Sequence, residues 1–258
     1  MLIKVEHLSH AHDGRPALHG VGFTAQEGER LVLLGCNGSG KSTLLKIIDG
    51  LIPPDAGVVT YDDRPVDRAA LADRLWRLRF RREVVLLFQD PAAMLFHPTV
   101  AEEVAFGPRQ LGLDEPEARA VAWIERAGLA ALRDRSPHAL SRGEQQKVAL
   151  ASLLVLEPRL LLLDEPTASL DPRSTGWLVD LLQDLETTTV VATHSLSLAP
   201  ELGSRCLVLG EDHTLLHDGP VPRPDADMDL LRRANLVHRH RHDHDGHVHR
   251  HDHVHDWE

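Results

Sequence analysis

The residues of this chain that could do chemistry begin with a glycine-rich octapeptide at positions 35–42, Gly-Cys-Asn-Gly-Ser-Gly-Lys-Ser. This pattern, set between an apolar strand candidate and a helical pattern, is typical of loops that bind nucleotide phosphates. Its glycines let backbone N–H groups turn toward a phosphate, and the start of the following helix adds a favourable dipole. The predicted phosphate-binding residues are Gly35, Asn37, Gly38, Ser39, Gly40, Lys41, Ser42 and Thr43. We therefore predict a nucleoside triphosphate site; a glycine-rich turn without a ligand is the alternative.

Two side chains of this loop and two acids farther along the chain supply the rest of the predicted chemistry. Lys41 can reach the β- and γ-phosphate oxygens, and the Ser42 hydroxyl suits Mg²⁺. Asp164 and Glu165 end an apolar strand candidate, and neighbouring residues on a strand point to opposite faces. We expect Asp164 to hold the Mg²⁺ shell and Glu165 to polarise a water that attacks the γ-phosphate. Without the phosphate loop, two solvated acids would be the simpler interpretation.

The composition narrows the classes of function. Acidic residues outnumber Lys and Arg by 39 to 28, for a formal charge of −11, which argues against a broad nucleic-acid footprint. Two cysteines, Cys36 and Cys206, are too few for a disulfide framework and fit a reducing cytosol. No apolar run approaches the ~18 residues of a membrane span, and the first residues lack the plan of a signal peptide. Any role at a membrane would therefore need another chain to span it.

The sequence predicts that strands and helices of an α/β fold position these residues. Continuous apolar runs predict strands buried on both faces of a mostly parallel sheet. The strand candidates are residues 2–8, 21–26, 30–34, 58–62, 84–88, 160–163 and 189–192. Capping boxes at 99–102 and 141–144, and an Asp-Pro pair at 171–172, predict helix starts. Residues 206–217 predict a closing hairpin.

The composition changes after about Pro220, so we divide the chain into a domain over 1–222 and a segment over 223–258. That segment is predicted to hold a linker, one short helix over 228–236 and a disordered histidine-rich tail. Imidazoles suit Ni, Co, Zn and Cu, and interleaved aspartates add oxygen ligands. The candidate tail ligands are His238, His240, His242, His244, His247, His249, His251, His253 and His255. A purification tag and a merely solvated tail are the alternatives.

Residues 140–145, Leu-Ser-Arg-Gly-Glu-Gln, resemble the Leu-Ser-Gly-Gly-Gln signature of ABC transporter ATP-binding subunits. Other motifs of that family follow in order. Gln89 matches the Q-loop, residues 169–171 match the D-loop, and His194 matches the switch histidine. The resemblance covers about residues 2–220. It implies a P-loop NTPase fold of the ABC ATPase type, with a mostly parallel core sheet, an antiparallel β subdomain and a helical subdomain that carries the signature.

The resemblance also implies how the chain works. Two ATPase subunits, identical or closely related, would pair head to tail at the cytoplasmic face of a membrane and act on integral membrane subunits. Each ATP would lie between the phosphate loop of one subunit and Ser141 and Gly143 of the other, with Asp171 nearby. Gln89 would join the Mg²⁺ shell, and Gln89 and His194 would assist Glu165 in hydrolysis.

This chain departs from the family pattern at three positions. Arg142 replaces a signature glycine and Glu144 replaces the glutamine. Glu144 completes a capping box with Ser141, yet its charge should mildly repel a γ-phosphate. The adenine-stacking position, usually aromatic, holds His12, or His10 if the register slips. We expect weaker ATP affinity rather than lost activity.

The segment 89–108 resembles energy-coupling-factor importers, especially their cobalt and nickel branch, and residues 230–236 resemble the end of that branch. In those importers this region docks cytoplasmic helices of the membrane partner. The resulting expectation is an ATPase subunit that energises nickel or cobalt import. A generic ABC subunit for zinc, manganese or a vitamin, a non-transport ABC ATPase, and a metal-storage factor are the alternatives.

Overall fold

The computed structural model describes residues 1–168, 170–244 and 247–254, and from residue 238 onward it describes the backbone alone. Its strands in chain order are β1 (Ile3–His12), β2 (Arg15–Ala25), β3 (Arg30–Leu34), β4 (Ala56–Tyr61), β5 (Arg64–Pro65), β6 (Val84–Leu87), β7 (Leu160–Asp164), β8 (Thr188–Thr193), β9 (Arg205–Leu209), β10 (Leu215–Pro220), β11 (Val237–His244) and β12 (His247–Val254). Its helices are α1 (Lys41–Ile48), α2 (Arg68–Ala72), α3 (Arg74–Glu83), α4 (Val100–Leu111), α5 (Pro116–Arg126), α6 (Arg142–Leu154), α7 (Pro172–Asp184), α8 (Ala199–Leu202) and α9 (Met228–Arg233). Short 3-10 helices cover Pro91–Met94, Ala130–Leu132 and Pro137–Ala139.

The chain forms two compact units. The first comprises Met1–Val66 together with the chain from Val190 onward, and the second is Asp67–Thr189. The division falls inside the stretch 1–222 that the sequence analysis treats as one domain. Within the part of the chain that the structure describes, no helix is long and apolar enough to cross a bilayer.

The first unit contains an antiparallel sheet in the order β2-β1-β4-β5. Strands β1 and β2 form a hairpin in which His12 pairs with Arg15. The turn between them is Asp13-Gly14, both with positive φ, which is the two-residue hairpin turn that matches strand twist. This turn extends β2 well before the start at Val21 that the apolar pattern predicts.

The first unit also contains strands in the order β10-β9-β3-β8. Strands β3 and β9 are parallel, with Leu31 opposite Arg205, and β10 runs antiparallel to β9. Residues 31–34 are completely buried, as expected for a parallel strand covered on both faces. The predicted closing hairpin is confirmed as β9 and β10.

The segment after residue 222 differs in part from its predicted form. The short helix is present as α9, whereas the histidine-rich tail, expected to be disordered, forms strands β11 and β12 that pair antiparallel. Histidine alternates there with Arg, Asp and Val, and a two-residue period is the period of a strand. Residue 255 lies outside the described residues.

In the second unit, strands β6 and β7 are parallel and buried, with Val84 opposite Leu160. The predicted helix starts are confirmed. Thr99 caps α4, Asp171 caps α7 with a proline in the first turn, and Ser141 caps α6 with the complete capping box. Helices α2 and α3 lie in a stretch for which the sequence analysis predicted no element.

A single arginine ties three parts of the first unit together. Arg205 on β9 donates to both carboxylate oxygens of Asp218 on β10, at 2.6 and 2.8 Å. Its Nη1 donates to Glu29 at 2.8 Å and to the Thr24 carbonyl at 3.0 Å. Asp218 first, and then Glu29, raise the pKa of the guanidinium above its usual value, so Arg205 stays charged.

We expect Arg205→Ala to lower the free energy of unfolding by about 2 kcal/mol, because it leaves two partly buried carboxylates without their cation. Arg205→Lys should fall between the parent and Arg205→Ala, since an ammonium cannot make the two-oxygen contact. Arg223→Ala is the matched control, because the Arg223 side chain is 72% exposed. Urea unfolding of the purified variants measures these differences. Equal midpoints for Arg205→Ala and Arg223→Ala would contradict the assigned role.

Candidate functional site

The phosphate loop lies in the first unit between β3 and α1, where the motif predicts it. Helix α1 begins at Lys41, and its N-cap residue is Gly40 in the left-handed region, with φ of 105°. Because the cap residue is glycine, no side chain occupies the positive end of this helix. Its inner face packs into the core through Leu44, Leu45, Ile47 and Ile48. The buried face of α1 therefore fixes the helix start, and the glycine at its N-cap leaves room there for an anionic ligand.

Two glycines of the loop, Gly35 and Gly40, are required by space, and Gly40 also has a positive φ that favours glycine. A Cβ on Gly40 would collide with the Ala17 carbonyl oxygen, and one on Gly35 would collide with the Ser39 side chain. Gly38 differs, because it has φ of 85° but a Cβ added there would have no neighbouring atom within 4 Å. The loop thus follows a path that side chains at Gly35 and Gly40 would block.

The lysine of the loop is already directed into it. Lys41 is buried, and its Nζ donates to the carbonyl oxygens of Gly35 at 2.7 Å and Cys36 at 3.2 Å. Ser39 is also buried, and its hydroxyl makes no hydrogen bond within the described residues. An ammonium group among glycine-rich backbone, beside a buried hydroxyl, fits the chemistry of a bound polyphosphate.

Histidine 12 lies at the end of β1 beside the start of α1. Its Nε2 is 3.1 Å from the Thr43 Oγ1. His10, the alternative position, has its ring edge-on to His12 at 4.7 Å and its Nδ1 3.6 Å from Asp55. Of the two rings, His12 is the exposed one, so it is the ring with a face available to a base.

The loop between β9 and β10 also reaches the phosphate loop, and no motif of the sequence marked it. His213 Nδ1 lies 3.4 Å from the Ser39 carbonyl oxygen. Glu211 lies close enough to Cys36 that its charge, after burial, raises the pKa of that thiol, with Lys41 acting in the opposite direction. Glu211 in turn accepts a hydrogen bond from Asn235 Nδ2 at 2.6 Å.

The surroundings of both cysteines favour the protonated thiol over the thiolate. Burial and Glu211 raise the pKa of Cys36, and burial raises the pKa of Cys206 to about 12. A thiol is a poorer nucleophile and metal ligand than a thiolate.

The two candidate acids lie at the end of β7 in the second unit. Asp164 is the last residue of the strand and Glu165 the first beyond it, and both are buried. Glu165 has φ of 47°, so the chain turns sharply there. The turn is fixed by the amide of Ala168, which donates to the Glu165 carbonyl at 3.1 Å, and by Gln146 of α6, which donates to the Pro166 carbonyl at 3.1 Å. A strained backbone at a buried carboxylate is common at catalytic sites.

The signature residues form the start of α6 in the same unit. Glu144 Oε2 accepts from the Ser141 amide at 2.8 Å and from the Ser141 hydroxyl at 2.7 Å. These bonds lower the pKa of Glu144, so the carboxylate is charged at neutral pH. A Cβ on Gly143 would come within 2.8 Å of the Ser174 hydroxyl, which donates to Asp171 at 2.7 Å. The starts of α6 and α7 therefore adjoin.

The remaining candidates are distributed between the units. Gln89 is exposed just beyond β6 in the second unit, and His194 is exposed just beyond β8 in the first. Residue 169 of the D-loop lies outside the described residues. The tail histidines 238–253 belong to β11 and β12, and only their backbone is described. Among the side chains that the structure describes, no three His, Cys, Asp or Glu form a group suited to a metal ion.

Replacing Gly40 by alanine should abolish nucleotide binding, because the new Cβ collides with a fixed backbone carbonyl and α1 cannot start at Lys41. Gly38→Ala should weaken binding only about five- to tenfold, since the positive φ costs an alanine about 1 kcal/mol and the surrounding space is free. Titration with a fluorescent ATP analogue measures both variants, and circular dichroism checks that they fold. Equal losses in the two variants would show that space at Gly40 is not decisive.

Known proteins resemble this chain over most of its length. The family model described as ABC transporter matches residues 18–168. A nickel import ATP-binding protein of Rhodobacter capsulatus is 42% identical over 235 residues, which cover 88% of this chain and 92% of that protein.

Solved structures agree with this match. The cbiO1 protein of Clostridium perfringens, described as part of the ABC transporter complex cbiONQ, has a TM-score of 0.76 at 33% identity and covers 91% of this chain and 94% of its own. A dimeric ATP-binding cassette in a post-hydrolysis state with ADP and Pi has a TM-score of 0.76 at 28% identity, over 86% of this chain and all of that chain. The predicted fold class is confirmed. This chain belongs to the ABC transporter family, as its ATP-binding, ATP-hydrolysing subunit.

Proposed function

We propose that this subunit energises the import of a transition-metal ion, nickel or cobalt, through a separate membrane subunit. The observation that carries the proposal is the match, over nearly the full length of both chains, to a relative named for nickel import. The likeness to a component of the cbiONQ complex supports the same branch. The subunit would then act at the cytoplasmic face of the membrane.

A rigid aromatic surface in the second unit suits contact with the membrane partner. Glu103 is buried on α4, and its Oε2 accepts from the amides of Phe96 at 2.7 Å and His97 at 2.8 Å. The rings of Phe96 and Phe106 meet edge to face at 5.2 Å, and that of His97 lies 4.6 Å from Phe106. Phe96 is nevertheless 64% exposed. A fixed, exposed aromatic side chain is the kind of anchor that a partner helix buries.

We further propose that two copies, or this chain and a close paralogue, enclose each ATP. The phosphate loop of one subunit would bind the phosphates through backbone amides and Lys41. Ser141 and Gly143 of the other would donate to the γ-phosphate, and Asp171 would support them. The dimeric relative with ADP and Pi supports this arrangement.

Hydrolysis requires Mg²⁺, which neutralises charge on the β- and γ-phosphates. Ser42, Gln89 and Asp164 carry the oxygen donors that Mg²⁺ prefers. Glu165 would accept a proton from the water that attacks the γ-phosphorus, as the bond to the ADP oxygen breaks. His194 would hydrogen-bond the γ-phosphate. Release of phosphate would then let the two subunits separate.

The departures from the family pattern bear on this closure. The Ser141 hydroxyl donates to Glu144 rather than being free for a phosphate, and the Glu144 carboxylate is charged. Arg142, which is exposed, would offset that charge near the γ-phosphate. The imidazole of His12 would stack on adenine with a smaller face than tyrosine offers. The engaged Ser141 hydroxyl, the Glu144 charge and the small ring of His12 favour a modest ATP affinity, and Arg142 acts in the opposite direction.

We expect Glu165→Gln to bind ATP and to accumulate as a closed dimer with turnover lowered at least ~100-fold, because the amide cannot take the proton. Size-exclusion chromatography with MgATP, together with phosphate release, measures both effects. Glu125→Gln on the exposed face of α5 is the control. Turnover close to the parent's in Glu165→Gln would remove this residue from the proposed mechanism.

We also propose that the tail binds Ni²⁺, Co²⁺ or Zn²⁺ and buffers or senses metal beside the transporter. The register of β11 and β12 supports this role, because it sets histidine opposite histidine in successive pairs: His238 with His253, His240 with His251, His242 with His249, and His244 with His247. Imidazole is a common ligand of Ni²⁺, Co²⁺ and Zn²⁺.

The substrate and the tail can be tested together by measuring uptake of radioactive Ni²⁺, Co²⁺ and Zn²⁺ in cells that make the chain with its membrane subunits. We expect Ni²⁺ or Co²⁺ to enter in preference to Zn²⁺, and Glu165→Gln to abolish uptake.

Truncation after Val237 should keep ATPase activity while removing most metal binding in equilibrium dialysis. Uptake of zinc alone, or none of the three, would refute the proposed substrate. Loss of ATPase activity on truncation would favour the storage alternative.

A further inference from the structure

Helix α3 carries an unusual concentration of positive charge. Its ten residues include five arginines and one glutamate, in a chain whose formal charge is −11. Asp73 caps the helix by accepting from the amides of Leu75 at 3.0 Å and Trp76 at 3.3 Å. A regular, capped helix in an acidic protein thus presents a local basic surface.

The inner side of α3 is fixed by two aromatic residues. Trp76 and Phe80 are four positions apart, so they lie on one side of the helix, and both are buried. Their ring centroids are 6.1 Å apart. The orientation of α3 about its axis is therefore set by these anchors.

The outer side of α3 combines leucines with arginines. At 100° per residue, Leu75 and Leu78 lie away from the anchors, and they are 80% and 39% exposed. Leu75 is the most exposed large apolar side chain among the described residues. Arg74 and Arg82 share this outer side and are exposed. Two leucines bordered by arginines form the face that we call the α3 patch, namely Arg74, Leu75, Leu78 and Arg82.

The arginines of the helix lie along its surface. Arg79 Nε donates to Glu83 at 3.0 Å while its guanidinium lies 5.5 Å from the Trp76 ring. Arg81 lies 5.6 Å from the Phe80 ring, and Arg77 donates to the Leu71 carbonyl at 2.9 Å. The five arginines are distributed along the whole length of the helix, with Glu83 as the one acid on it.

We propose that the α3 patch rests on anionic phospholipid headgroups of the membrane that holds the partner subunits. Guanidinium groups bind phosphates strongly, and arginine-bordered leucines are typical of helices that lie in a membrane interface. Charge spread along a helix suits a diffuse anionic surface better than one acidic side chain of a protein. The rest of this acidic chain is repelled by such a surface, so attraction confined to α3 would also orient the subunit. The inference rests on family membership and is independent of the transported ion.

Flotation of the purified full-length chain with lipid vesicles tests the proposal. Vesicles of phosphatidylcholine alone are compared with vesicles that also contain phosphatidylglycerol, with EDTA present so that metal on the tail cannot bridge to lipid. We expect binding only with the anionic lipid, falling as salt is added. Leu75→Ser combined with Arg82→Gln should lower the vesicle affinity at least about tenfold, because an arginine near such a surface contributes roughly fivefold and an inserted leucine adds to it.

Leu51→Ser combined with Arg223→Gln is the matched control, because it makes the same chemical changes at exposed sites elsewhere. It should bind vesicles as the parent does, and both double variants should bind ATP normally. No binding to anionic vesicles, equal binding to neutral ones, or equal loss in the two double variants would each overturn the proposal. If the chain ignores lipid but the α3 variant loses affinity for the membrane subunits, an acidic protein surface is the partner instead.

Discussion

The start of α1 is the constraint on which the site depends. Gly40 has φ of 105° and stands where a Cβ would collide with the Ala17 carbonyl, so β2 and the phosphate loop can approach only because that residue has no side chain. Lys41 then begins the helix and directs its ammonium group to the carbonyl oxygens of Gly35 and Cys36. The buried face of α1 keeps this arrangement in place. Gly40 thus allows the close packing of the loop, and the next residue, Lys41, supplies the charge that suits a phosphate.

In the second unit, a buried strand and a helix position the candidate acids and the signature residues. A buried strand, β7, brings Asp164 and Glu165 to its end, and the turn at Glu165 is held by a hydrogen bond from Gln146 on α6. The same helix begins with the signature serine. Conformation at the acids and at the signature is therefore linked through one helix. The capping box of Ser141 and Glu144 stabilises the helix start but also engages the hydroxyl that we propose for the phosphate contact, so helix stability and the proposed contact would compete at this position.

Local rules predicted the parts of the fold that depend on neighbouring residues. Capping boxes and the Asp-Pro pair marked the starts of α4, α6 and α7, because the hydrogen bonds that satisfy a helix terminus come from residues within three positions. Continuous apolar runs marked β3, β6 and β7, because both faces of those strands are buried. The pattern failed for the first half of β2 and for α3. The first half of β2 mixes polar residues with the buried Ala17 and Leu18, and α3 is basic. The strand takes its structure from a tight turn and the helix from two aromatic anchors, rather than from a repeated apolar period.

The sequence by itself predicted the chemistry, because the octapeptide, the acid pair and the signature are each recognisable from a few adjacent residues. Only the tertiary structure decided which other residues lie beside them. It placed His213 against Ser39, 174 positions away, brought Glu211 near Cys36, and selected His12 rather than His10 as the exposed ring. Such contacts form because strands distant in the chain become neighbours in a sheet, and the loops that join them carry no local pattern that records their partners.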